Sequence, residues 1–99
     1  MINRIVCMHF APGNRDAFLK LFVETKEAIR AFPGCLYLEL LEDAQDNHRF
    51  FTYSKWETEA DLAQYRNSEL FQRTWAATKA LFDQKPMAWS TQSRFRLDD

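Results

Sequence analysis

The chain has 99 residues, 46% hydrophobic and 15% aromatic, with a formal net charge of −1. A chain this short makes a single domain, and its nine Phe, three Trp and three Tyr exclude intrinsic disorder. Both charge signs are mixed along it, which argues against a nucleic-acid surface. No run of about 18 apolar residues is present to span a membrane.

The first residues, Met1-Ile2-Asn3-Arg4-Ile5-Val6, enter a strand-like pattern at once. They lack the basic stretch, apolar run and cleavage site of a signal peptide, so a cytoplasmic protein is expected. From Ile2 to Phe10, Val6, Met8 and Phe10 alternate with Ile5, Cys7 and His9; apolar residues on both sides predict a strand covered on both faces. Ala11-Pro12-Gly13-Asn14 breaks it, and Asn14 with Asp16 reads as a helix N-cap followed by a negative first turn. Phe18, Leu21, Phe22, Thr25, Ile29 and Phe32 then recur at three- and four-residue steps until Pro33-Gly34 ends the helix.

Cys35 to Glu42 reads as a second strand, with Leu36, Leu38 and Leu40 on one face and Cys35, Tyr37, Glu39 and Leu41 on the other. Asp43 to Asn47 is a polar turn, and Arg49 to Trp56 is the returning strand. Thr58 with Asp61 opens another helix, which Ser68 restarts after a bend at Arg66-Asn67-Ser68. Phe71, Trp75, Thr78 and Phe82 form one face of it, and Pro86 opens a last strand from Met87 to Leu97. Cys7 and Cys35 are expected to be buried, reduced packing residues, since neither stands in a metal-type or CxxC spacing.

The order β-α-β-β-α-β predicts an α+β, ferredoxin-like fold: a four-stranded antiparallel sheet, in spatial order 4-1-3-2, with both helices on one face. That order keeps the two cysteines apart. Two helices cover one sheet face only, yet the first three strands carry large apolar residues on both. The uncovered face predicts a homodimer packed sheet to sheet about a two-fold axis.

Four short segments carry a family resemblance: Pro12-Gly13, Ala31-Phe32-Pro33-Gly34-Cys35, Tyr53-Ser54-Lys55-Trp56-Glu57-Thr58 and Asn67-Ser68-Glu69-Leu70-Phe71. In their order and spacing the chain resembles the antibiotic biosynthesis monooxygenase (ABM) family of dimeric α+β barrels, from the first strand to about Phe82. The resemblance implies a cavity between sheet and helices in each subunit, and often a last strand that reaches the other protomer. It implies cofactor-independent oxygenation of polyketides or quinols, isomerisation, haem degradation, or no known reaction. The polyketide oxygenases line their pocket with Asn, Trp and Tyr; here the Trp matches Trp56, while Thr52 and Leu62 stand at the other two positions. The helical Trp and His of the haem-degrading members correspond to Tyr65 and Trp75, and the strand Asn to Val6. No His is left there to ligate iron, so haem chemistry is not expected. Where relatives of the quinol-monooxygenase and isomerase type commonly have His, this chain has Tyr65.

Oxygenation without a cofactor needs a base and a dry pocket. Phe51, Tyr53, Trp56, Tyr65, Phe71, Trp75 and Trp89 are candidates for the pocket, although an aromatic stripe at helical spacing (Phe71, Trp75, Phe82) ordinarily marks core. His9 is the candidate catalytic base, with a pKa suited to neutral pH; His48 is expected to face solvent. Glu39 reads as an interface ion-pair partner or, if buried, a second base. No phosphate loop, nucleophile elbow or metal-ligand cluster occurs, so no metal and no cofactor is expected. The reading is a monooxygenase for a small aromatic, phenolic or quinonoid substrate. Its alternatives are a non-catalytic dimer that binds a small apolar ligand, or takes part in a stress response, and an isomerase using the same cavity.

Overall fold

The computed structural model describes residues 1–98. Its elements are β1 (Ile2–His9), α1 (Arg15–Arg30), β2 (Cys35–Glu42), β3 (Arg49–Trp56), α2 (Glu59–Arg66), α3 (Glu69–Lys79) and β4 (Met87–Thr91). The strands form one antiparallel sheet in the order β2-β3-β1-β4, the spatial order 4-1-3-2 read from the sequence. Among the described residues no helix is long and apolar enough to cross a membrane.

Local chemistry sets the element ends. Thr58 Oγ1 accepts from the Asp61 N–H at 3.1 Å, and Ser68 Oγ accepts from the Phe71 N–H at 3.1 Å. Each hydroxyl satisfies a donor that the first helical turn leaves unpaired. Ser68 thereby splits the second helical region into α2 and α3. Asn14 stands at the N-cap of α1 but makes no side-chain cap; its Nδ2 instead donates to the Leu81 carbonyl at 3.3 Å, tying the start of α1 to the end of the α3 region. Gly34 takes φ +87°, and a Cβ there would collide with the side chain of Asp61. Only glycine lets the chain leave α1 and enter β2 this close to α2.

Register decides which side chains meet the helices. Arg4 faces Ser54, Val6 faces Thr52 and Met8 faces Phe50, and these pairs lie on the helix side. At one end of that side Met8, Phe10, Phe18 and Phe50 make a buried cluster with Phe22, Trp75 and Phe82 packed against it. At the other end Ile2, Cys35, Trp56 and Leu62 make a second, with Phe32 and Tyr65. Burying each of the large side chains contributes about 1.5–3 kcal/mol. Between the two clusters the same strands carry Arg4, Thr52, Ser54 and Ala88, side chains too short or too polar to close the layer.

Two expectations about the strands need correction. A bulge between Cys35 and Tyr37 shifts the register of β2, so Cys35 turns to the helix side with Trp56 and does not share a face with Tyr37. An extra residue reverses the alternation for everything before it. The last strand ends at Thr91, not Leu97. Thr91 pairs with Asn3, one residue from the start of β1, and the ladder with β1 closes there. Phe95 and Leu97 are instead 88% and 97% exposed. Cys7 and Cys35 are free and buried.

Candidate functional site

The gap between the two clusters is a cavity of about 420 Å³. Its floor is the sheet: Arg4 and Val6 from β1, Leu38 from β2, Thr52 and Ser54 from β3, Ala88 from β4. Its roof is helical, with Phe18, Phe22 and Ile29 from α1 and Phe71, Thr74 and Trp75 from α3. This volume lies within the range of small-molecule sites, and its mostly apolar lining with a few polar groups is their usual makeup.

One wall is a continuous run of aromatic rings. Trp56 stacks on Tyr65 with centroids 4.9 Å apart, Tyr65 meets Phe71 edge-on at 5.2 Å, and Phe71 stacks on Trp75 at 5.9 Å. Trp56 is 1% exposed and its Nε1–H donates to Ser54 Oγ at 3.0 Å, so the indole nitrogen is satisfied inside the protein. Burial pushes the Tyr65 phenol up to about 12 because the phenolate would lose its hydration. At neutral pH Tyr65 is therefore a hydrogen-bond donor and not a base. Thr25 and Thr78 turn their hydroxyls back onto the helix carbonyls of Leu21 and Thr74, so those hydroxyls are already satisfied within the helices.

Of the residues singled out from sequence, Trp56, Tyr65, Phe71 and Trp75 come together here. Phe51 and Tyr53 do not: they alternate with Thr52 and Ser54 and stand on the opposite sheet face. Tyr53 lies there beside Lys55, Tyr37 and a groove bordered by Ser93, Phe95 and Arg96. The period of two that makes Trp56 a cavity residue excludes both. Glu39 is on that same open face, where it accepts from the Tyr37 hydroxyl at 2.9 Å. His9 does not line the cavity either. Its Nδ1 lies 2.6 Å from Asp83 Oδ1 and its Nε2 2.9 Å from Asp46 Oδ2. Both ring nitrogens are thereby engaged, which raises its pKa above 6.5, chiefly through Asp83 and against the effect of burial. His48 lies beside it, with ring centroids 6.3 Å apart.

Sequence reasoning missed the two arginines. Arg4 and Arg66 are the charged residues among the twenty that line the cavity. The available signal was the polar Arg4 on the side of the first strand that Val6, Met8 and Phe10 occupy. Phe50-x-Thr52-x-Ser54-x-Trp56 likewise alternates large residues at its ends with small ones between.

Comparison with known proteins agrees with this architecture. The family model described as antibiotic biosynthesis monooxygenase matches residues 1–77. A solved structure described as an antibiotic biosynthesis monooxygenase superposes with a TM-score of 0.89 at 26% identity, covering 95% of this chain and 99% of that one. A Pseudomonas aeruginosa protein superposes at 0.81 with 27% identity, covering 98% and 94%. A conserved protein from Methanosarcina mazei Go1 shares the fold at 0.89 with 15% identity, covering 94% and 92%. No curated protein matches the chain.

Proposed function

Because the chain belongs to the antibiotic biosynthesis monooxygenase family, we propose that its cavity binds a small aromatic, phenolic or quinonoid molecule and oxygenates it without metal or flavin. The observation that carries this reading is the aromatic wall of Trp56, Tyr65, Phe71 and Trp75 along a space of about 420 Å³, the size of a two- or three-ring ligand. Stacking on such a wall orients a flat ring, and the apolar lining keeps water from a carbanion that would otherwise be reprotonated.

The balanced reaction is simple. An activated methylene reacts with one O2 to give a carbonyl and one water, so the carbon is oxidised by four electrons and the O2 is reduced by four. The first step is loss of a proton from carbon or from a conjugated hydroxyl. Among the described residues, none that lines the cavity is Asp, Glu, His, Lys or Cys, and Tyr65 holds its proton at neutral pH. The protein's part is then to bind and orient the ring and to stabilise by its positive charges a substrate that has already given its proton to bulk solvent and enters as the anion.

The same lack of a lining base favours a second reading, in which the cavity binds its ligand without turnover. Oxygen uptake with a panel of hydroquinones, naphthohydroquinones and anthrones separates the two. One O2 consumed per product, with a mass gain of 14 for methylene to carbonyl, supports oxygenation. Saturable quenching of Trp fluorescence with ligand mass unchanged supports binding alone. A product of unchanged mass but altered structure, formed without oxygen, would instead support isomerisation.

The open sheet face supports a homodimer. Tyr37, Leu41, Met87 and Trp89 stand there 38–55% exposed, and both helical layers pack on the other face. An apolar surface of this kind, shared by four strands, fits a second copy of the chain packed sheet to sheet.

A further inference from the structure

Arg4 is an unusual residue for the middle of a sheet. It sits on β1, an interior strand, and on the helix side its neighbours in register are Ser54 and Ser90. Two short side chains leave space for the guanidinium over the cavity floor. Its one side-chain hydrogen bond is from Nη1 to Ser90 Oγ, at 3.1 Å. A guanidinium has five N–H donors in a planar fork, so most of them remain to be used.

Among the described residues Arg4 has no carboxylate partner, although Arg15, Arg49, Arg73 and Arg96 each have one. Arg66, at the end of α2, lines the same cavity and has none either. Among the described residues no Asp or Glu lines the space. Burial, and then the charge of Arg66, pull the Arg4 pKa below its ordinary value, which records that the two cations face a common, partly desolvated region. A guanidinium remains protonated there at neutral pH. A partly buried cation beside a like charge is costly unless an anion joins it.

We propose that the cavity selects an organic anion, an aromatic ring system bearing a carboxylate, which Arg4 grips from the floor while Arg66 closes on it from the rim. This rests on the reading that the cavity holds a small aromatic ligand, and it adds the charge of that ligand and where the charge lies. The geometry orients the molecule: the carboxylate end lies toward Arg4 and Ser54, and the rings lie along Tyr65, Phe71 and Trp75. A planar fork and a planar carboxylate form two parallel charge-assisted hydrogen bonds, a match that neither a neutral quinone nor an ammonium compound can make.

The test compares 2-naphthoate with 2-naphthamide, a neutral molecule of the same shape, by calorimetric titration of the full chain at low and high salt. Naphthoate is expected to bind roughly tenfold or more tightly than the amide, with the preference shrinking as salt rises. Arg4→Gln is expected to erase the preference, and Arg66→Gln, at an exposed position, to reduce it without affecting folding. Equal binding of acid and amide by the native protein would overturn the proposal and leave the aromatic-cavity reading standing. An undiminished preference in folded Arg4→Gln would overturn it as well. Binding of neither compound would overturn both.

Discussion

His9 shows how one side chain can be poised for a role other than the one its chemistry first suggests. It joins three separate segments, the end of β1, the β2–β3 turn through Asp46 and the segment after α3 through Asp83. Its raised pKa means that the folded chain holds the proton more tightly than the unfolded one. The resulting stability is fully present below about pH 6.5 and is lost as pH rises through the folded value. Asp46 has the opposite sense: a hydrogen bond from the His48 N–H, then His9, holds its carboxyl below the ordinary value, so its contribution is lost as pH falls through that lowered value. Both carboxylates are about one-third exposed, so solvent screens the two pairs and keeps the His9 contribution modest. Thermal melts of the native chain between pH 6 and 9 should therefore show a falling Tm, and His9→Gln should flatten that fall. An equal slope in both proteins would assign the pH dependence to other groups.

At the scale of elements, the corner between α2 and α3 holds part of the cavity's aromatic wall. Ser68 Oγ donates to the Tyr65 carbonyl at 2.6 Å and accepts from the Phe71 N–H at 3.1 Å, so one hydroxyl fixes the two residues whose rings meet at 5.2 Å. Ser68→Ala should cost about 1 kcal/mol in urea unfolding, and should weaken binding of a ring ligand while Ser68→Thr retains it. Much of this level was legible in the chain. The period of two through β1 and β3, the helical stripe of α1, the Pro33-Gly34 stop and the Ser68 restart are all local signals, and the structure carries each of them. The bulge in β2 was not legible, because Leu36 continues the alternation perfectly and only pairing with β3 reveals the extra residue. The short β4 was not legible either, since its length is set by where β1 begins and not by its own composition. Arg4 was in plain view, but a polar residue in a strand looks solvent-facing until its register with Ser54 and Ser90 shows what lies above it.

At the scale of the whole molecule, the sheet divides two tasks between its faces. The helix side holds the cavity, and the open side, with Met87 and Trp89 55% and 46% exposed, is the surface we propose for a second chain. Trp89→Glu places a charge on that apolar face, on the edge strand β4, and should convert a dimer to a monomer in sedimentation equilibrium, because an unpaired buried charge costs several kcal/mol. A native chain that sediments as a monomer would contradict the dimer. The claim on which the functional account rests is that ligands enter between sheet and helices, and blocking that space tests it most directly. Thr52→Phe adds a ring to the cavity floor, midway between the buried clusters and far from the open face. Titrated with a naphthalene-sized ligand, the native chain should show saturable quenching of its Trp fluorescence, and folded Thr52→Phe should show none. Quenching of equal affinity in both would contradict the account and place the ligand elsewhere on the protein.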